Sequence, residues 1–388
     1  MIQSPAGRAA SPAVTAAPSS ATESRSASTA RTNATTATAG RCPAAFQSQA
    51  AGYFNGIQFV SPERGWAVGQ REILATGDGG RRWTVQDTGN LGLTSVDFIS
   101  EQDGWAVGVN SVLATTDGGA HWTAQADPCI RSVHFVSPQT GFAIAGGTGS
   151  RTSSPAPADG GRVLTTSDGG QSWRPLPAPT DAQTVCFDNA EQGWLGAAGR
   201  LYRSADGGRS WTLVTAGAKP VTASYAATMV VQCAGAGAAW ALDVGPGAEA
   251  SQQPQIGYYA SASGAVPVFA EQDSPHPVVS VTADPPGSDA GPISAISPAS
   301  AVFIGFCPAC GPGTVPWDLV TGSGTSITRK GTVGGQLTQP ESASFLSARL
   351  GWVLGVVTRY RVGEPPRQFQ RIVSTSDGGR SWQVLYTS

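Results

Sequence analysis

Lysine is nearly missing from this 388-residue sequence, with Lys219 and Lys330 the only two, and charged residues of all kinds reach only 13%. A formal net charge of −2 leaves no electrostatic footprint for nucleic acid or an anionic membrane surface. Histidine is confined to His121, His134 and His276, which are too scattered to suggest a metal cluster, and no cofactor is expected. No run of 18 apolar residues occurs, so no membrane-spanning helix is expected. Aromatic residues are absent before Phe46, and residues 1–45 are dominated by Ser, Thr, Ala and Pro. Such a stretch cannot bury a core and is expected to be a disordered tail, leaving 46–388 as the folded part. No apolar signal region follows Met1. A polar tail ahead of a β domain nevertheless also follows secretion signals and anchors, and the six cysteines form an even set. An extracytoplasmic location, secreted or anchored upstream of the given start, is therefore expected.

What the sequence has in quantity is glycine, 50 residues, and proline, 28, a composition suited to many short strands joined by turns. The turns announce themselves. The octet Thr-x-Asp-Gly-Gly-x-x-Trp occurs at Thr76–Trp83, Thr115–Trp122, Thr166–Trp173 and Thr375–Trp382, and with Ser in place of Thr at Ser204–Trp211. Asp78, Asp117, Asp168, Asp206 and Asp377 would each accept backbone N–H groups inside a tight turn. The Gly pair supplies positive φ, the Ser or Thr hydroxyl a second local bond. Trp83, Trp122, Trp173, Trp211 and Trp382 would cover the turn with apolar surface. Calcium binding is the functional alternative, but calcium loops need oxygen side chains at positions held here by glycine. The octet reads as structure.

A longer unit surrounds each octet. The first runs Ile57–Ser61, Gly65–Gly69 and Ile73–Thr76, then the octet and a strand after Trp83. Four strand-length segments per repeat is the signature of a propeller blade. The octet Asp residues are separated by 39, 51, 38 and 171 residues, and the last gap leaves room for two blades that have lost the octet. Ala239–Leu242 with Ile256–Ala260 fits one, and Ala301–Gly305 with Trp317–Val320 the other, Trp317 being read as core. The expectation is an all-β, seven-bladed β-propeller of four-stranded antiparallel blades, with six or eight blades as alternatives. Ring closure is open, because the chain starts on an inner strand and ends on an outer one.

The octets resemble the Asp-box, or BNR, repeat of sialidases and related propellers. The fuller pattern at residues 59–83 and 98–122, Phe-x-Ser-Pro-x-x-Gly-Trp-Ala-Val-Gly and variants of it followed by the octet, is more similar to the photosystem II assembly and stability factor family and its bacterial relatives. That resemblance covers about residues 50–388. It implies a seven-bladed propeller without enzymatic activity that acts as a chaperone or scaffold.

With strands lettered A to D, the Ser-Pro-x-x-Gly turns (A–B) and the octets (C–D) fall on one face of the ring. Loops that vary in length fall on the other: Gly146–Gly161, Val244–Gln255, Phe306–Pro316, Thr358–Gln368 and the connection Pro267–Pro292. Variable loops on a rigid scaffold are where binding is sought. Arg359, Tyr360, Arg361 and Arg367 place three guanidinium groups and one aromatic ring on one loop, suited to carboxylates, phosphates or an acidic protein patch; a solvated loop is the alternative. Cys307 and Cys310 read as a loop disulfide, since neither a second pair for zinc nor a redox context is present. Cys129, Cys186 and Cys233 sit on or beside inner strands of successive blades, where pairing across blades is open. A glycoside hydrolase, sialidase-like or xyloglucanase-like, would need two carboxylates over the central cleft. Asp159, Asp181, Asp243, Glu249, Asp284, Asp289 and Glu364 are candidates, none in a recognisable motif. The expected function is a monomeric, non-enzymatic scaffold docking a protein or polysaccharide on the variable-loop face.

Overall fold

The structure is a computed structural model that describes residues 53–388 except 90, 109–110, 126–128, 147–160, 198, 215–227, 246–254, 271–288, 307–317, 324–325, 334–335 and 362. The disulfide expected between Cys307 and Cys310, the placement of Trp317 and the tail 1–45 lie outside the described residues. Among the described residues there is no helix, and 28 strands form seven four-stranded antiparallel sheets. Blade one is Phe54–Phe59, Gly65–Gly69, Glu72–Thr76 and Thr84–Thr88. The A strands of the remaining blades are Leu93–Phe98, Ile130–Phe135, Ala182–Phe187, Thr228–Gly235, Asp289–Ser297 and Gln339–Phe345. Each A strand packs on the next, and the last on the first, so the A strands form the inner wall of a closed ring. The connection expected over Pro267–Pro292 is shorter than the sequence suggests. Pro267 pairs with Tyr258 inside a D strand, and Pro292 falls within a bulge of the sixth A strand, an irregularity that tolerates a residue without a backbone donor.

All five octets fold alike. Thr76 Oγ1 accepts the amide of Gly80 (2.9 Å) and donates to Asp78 Oδ1 (3.0 Å), which in turn accepts the amide of Arg82 (2.8 Å). Gly79 and Gly80 take φ of 76° and 93°, the left-handed region in which a Cβ is costly. The same bonds recur around Asp117, Asp168, Asp206 and Asp377. In blade three Ser172 adds its hydroxyl, donating to Asp168 Oδ2 at 2.5 Å; this bond and the Ser172 amide hold the Asp168 carboxyl down at about 2. Ser210 and Ser381 do the same to Asp206 and Asp377. A depressed carboxylate contributes stability that is present above its unfolded value near 4 and is lost as pH falls toward 2. In a Ser172→Ala variant the Asp168 titration, followed by carboxyl carbon NMR, is expected to move up toward the ordinary range. An unmoved midpoint would mean that the serine hydroxyl does not set it.

The octet turn also grips the A–B turn of its own blade. Gly79 N donates to Glu63 O (2.9 Å), and the equivalent bond recurs at Gly118, Gly169, Gly207 and Gly378. The two sets of turns therefore share one face, as their strand order requires.

The core lies between blades. Trp66 of blade one stacks on Phe98 of blade two at 3.5 Å and 6°, and its Nε1–H donates to Gly118 O of the next octet (3.2 Å). Trp105 repeats this on Phe135 and Gly169. Phe142 stacks on Phe187 at the following junction. Trp352 of blade seven stacks on Phe59 of blade one at 3.6 Å and 3°, and donates to Gly79 O (3.0 Å). The ring thus closes without a shared strand, through the same stack and bond used inside it. The glycine preceding each of these rings is required by the blade's own phenylalanine: a Cβ on Gly65 would lie 2.5 Å from the Phe59 ring.

A second set of links runs along the inner wall, in blades one to four one residue before the stacked phenylalanine. Gln58 makes two bonds with the backbone of Phe98 (2.6 and 3.2 Å). Asp97 accepts Phe135 N (2.6 Å), and His134 Nε2–H donates to Phe187 O (2.8 Å). Gln232 bridges to Ile293 O and Ala295 N, Ser294 accepts Phe345 N, and Ser344 accepts Phe59 N. Between blades four and five the corresponding residue is Cys186, and it is joined by a disulfide to Cys233, with Cα atoms 5.6 Å apart. Every junction of the ring is crossed at this level, and at one of them the link is covalent. Cys129 is disulfide-bonded as well.

Candidate functional site

The segment Thr358–Gln368, expected as a loop, is instead the outer half of a long hairpin. Strands Gly351–Arg361 and Glu364–Thr375 remain paired through Thr358↔Gln368, Arg359↔Arg367 and Arg361↔Glu364. Pro365 and Pro366 lie within this stretch, although proline cannot donate to a ladder. Here the extra length of both strands has no neighbour beyond the hairpin partner, and the prolines sit in extended backbone where no further donor is called for. The result is a two-stranded ribbon standing out from blade seven on the variable-loop face.

Its base is fixed. Gln370, with none of its surface exposed, accepts Phe54 N (2.6 Å) and donates to Phe54 O (2.8 Å) and Glu341 Oε2 (2.6 Å). Thr338 Oγ1 donates to Val356 O (3.0 Å) and accepts Thr358 N (2.9 Å). Val357 and Phe369 join the apolar cluster between blades six and seven, with Val302, Ile304 and Val353. Directly paired residues of an antiparallel ladder share a face, so Arg359, Arg367, Phe369 and Arg371 line one side of the ribbon. Phe369 is held between two cations, with Arg359 Cζ 4.8 Å and Arg371 Cζ 5.3 Å from its ring centroid. Burial and the charge of Arg359 both lower the Arg371 guanidinium from its ordinary value.

At the tip the side chains are open to solvent, Tyr360 being 63% exposed. Glu364 lies 3.9 Å from Arg361 and 3.7 Å from Arg367, exposed pairs of small energetic worth. Arg359 and Arg367 face each other directly across the ladder, an arrangement of like charges that destabilises a hairpin. Three arginines at the tip are set against Glu364, and the base, with Arg371, holds Glu341. The four residues expected from the sequence, Arg359, Tyr360, Arg361 and Arg367, are thus brought together, and Phe369, Arg371 and the anchoring Gln370 join them. Those three were missed because they read as an ordinary strand; the alternation Arg367-x-Phe369-x-Arg371 was the available signal.

The hydrolase carboxylates fare differently. Asp243 is fully buried on a B strand, paired with Ile256 rather than in a loop. Asp289 opens an A strand, Glu364 lies between arginines, and Asp181 sits at a turn with φ of 63°. Asp159, Glu249 and Asp284 lie outside the described residues. Among the described residues no cluster of three His, Cys, Asp or Glu could hold a metal ion, and no helix could cross a membrane.

Residues 45–131 match the model of a family described as photosynthesis system II assembly factor YCF48. A search of curated protein sequences finds no match. Among solved structures the chain is similar to YCF48 bound to D1 peptide, at 16% identity and TM-score 0.50, over 78% of this chain and 90% of that one. It is similar to a chain of the mitotic checkpoint complex at 9% identity and TM-score 0.51, over 78% and 86%. The likeness to an ancestral GH74 enzyme, at 12% identity over 87% of this chain and 63% of that one, has a TM-score of 0.42 and carries no argument. At such identities the structural likeness establishes the propeller fold alone. The chain is an Asp-box repeat β-propeller, and its residues 45–131 carry the pattern of the YCF48-like photosystem II assembly factors.

Proposed function

We propose that this propeller is a non-enzymatic assembly scaffold that docks an acidic segment of a protein partner on its variable-loop face, with the blade-seven ribbon as the main contact. The observation that carries this reading is the direct facing of Arg359 and Arg367 across the ladder, beside a cation–aromatic–cation stack, with Glu364 the one acidic residue in the stretch 358–368. A fold keeps a locally repulsive arrangement where a site makes use of it. Guanidinium forks and an exposed tyrosine are also the groups that dominate contact energy at protein interfaces. The family match and the peptide held by the YCF48 structure agree with a protein partner in kind. The Cys186–Cys233 disulfide favours an oxidising, extracytoplasmic compartment.

The test is fluorescence polarisation with a labelled acidic peptide of alternating Glu and Ala. Binding is expected to weaken steeply with salt. It is also expected to fall at least about tenfold in the Arg359→Ala, Arg361→Ala, Arg367→Ala variant, whose thermal stability should change little, since relief of the Arg359–Arg367 repulsion offsets loss of the stack on Phe369. Equal affinity in the variant would remove the ribbon from the docking site.

A further inference from the structure

A third ring of links lies nearer the variable-loop face, where the A strands begin and most of them carry a bulge. The bulged residue reaches to the neighbouring inner strand. Asn55 Nδ2 donates to Leu93 O (2.6 Å), Thr94 Oγ1 to Arg131 O (2.8 Å), and Gln183 Oε1 accepts Met229 N (2.7 Å). In blade three the same position is Arg131, whose Nη2 donates to Ala182 O (2.7 Å) and Gln183 O (3.3 Å). Gly161 leaves the guanidinium its room, since a Cβ there would come within 3.0 Å of Nη2.

Three blades do this bridging with small neutral groups, so the task does not call for a charge. Arg131 uses one of its three nitrogens for it. Its Nε–H is buried without an acceptor, and it forms no ion pair among the described residues. Burial alone pulls its guanidinium down to about 10, which still leaves it charged at neutral pH. Charged side chains are seldom taken out of water without a counter-charge. The position is at the inner wall, on the end of the ring that carries the variable loops.

We propose that Arg131 is an anion-binding residue at the inner rim of the ring, taking a carboxylate on Nη1, the terminal nitrogen that the inter-blade bridge leaves over. The carboxylate is either a small free acid or the chain end of a bound peptide. A permanently charged, weakly hydrated guanidinium suits either. This site is separate from the ribbon and stands whether or not the ribbon docks a partner.

The probes are sodium acetate against sodium chloride at equal ionic strength, and Ala-Ala-Ala against its C-terminal amide. Melting temperature is followed as a function of concentration. In the wild-type chain, acetate, the free-acid peptide or both are expected to give a saturable rise, and chloride and the amide none. A response to peptide alone assigns the site to a chain terminus, and a response to acetate alone to a small acid. Arg131→Gln keeps a side-chain amide to donate across the junction, as Asn55 does in blade one, and is expected to abolish the response; Arg131→Lys should weaken it about tenfold. The Arg359→Ala, Arg361→Ala, Arg367→Ala variant should respond as the wild type does. No saturable response in the wild type, or an undiminished one in Arg131→Gln, overturns the proposal. Should Arg131→Gln not fold, iodide-soaked wild-type crystals decide. An anomalous peak within about 4 Å of the guanidinium supports the site, and its absence removes it.

Discussion

Replacing Trp352 by alanine is expected to lower stability by about 3–5 kcal/mol, the range for removing a buried tryptophan. The melting temperature should fall by roughly 10 °C for a domain of this size. Trp352 is 2% exposed and contributes both elements of the seam between blades seven and one, the stack on Phe59 and the bond to Gly79 O. No strand crosses that seam, so side chains hold it, with Ser342, Ser344 and Gln370 as further links. Amide exchange at Phe54 and Phe59 should therefore accelerate more than at Phe135, which lies at an internal junction. A Trp352→Ala protein melting within a degree or two of the wild type would mean that the seam is held elsewhere. So would one that exchanges evenly around the ring.

The second large effect is expected from the double variant Cys186→Ala, Cys233→Ala. The bond closes a loop of 47 residues, and removing such a constraint from the unfolded chain costs about 2–4 kcal/mol. It also stands at the junction where the octet has been lost. Trp194 is buried against blade five, and that blade offers no octet glycine carbonyl for its indole, in contrast to the junctions made by Trp66, Trp105 and Trp352. Denaturant unfolding of the double variant should show a lower midpoint, with early exposure in blades four and five. An unchanged midpoint would show that packing by Met229, Val231 and Tyr258 suffices there.

Much of this architecture was legible because it is local. The octet needs Asp, two glycines and a hydroxyl within five residues, and each is dictated by turn geometry that operates without the rest of the ring. The Gly-Trp pair was readable as a repeat but not as a mechanism: its glycine makes way for a phenylalanine of the neighbouring strand, and its tryptophan serves the next blade. The inner links were hidden altogether. Gln58, Asp97, His134, Cys186, Gln232, Ser294 and Ser344 share no chemical type, only a position and a reach to the following blade. At the candidate site the arginines were visible and their setting was not. The stretch Thr358–Gln368 read as a long loop, whereas the pairing of Arg359 with Arg367 and of Arg361 with Glu364 carries both strands through it. Gln370 was silent because its partner, Phe54, is 316 residues away in the chain.

The seam between blades seven and one has a consequence for how the blades are counted. Because it is fastened with the parts that fasten blade one to blade two, nothing in its chemistry marks blade one as the beginning. Ser388 bonds to Gln370, which in turn holds Phe54, so the first and last described strands meet at one point on the hoop. Joining them and cutting the chain ahead of another A strand would give a permuted polypeptide with the same seven joints. Blade order is a property of the thread and not of the ring.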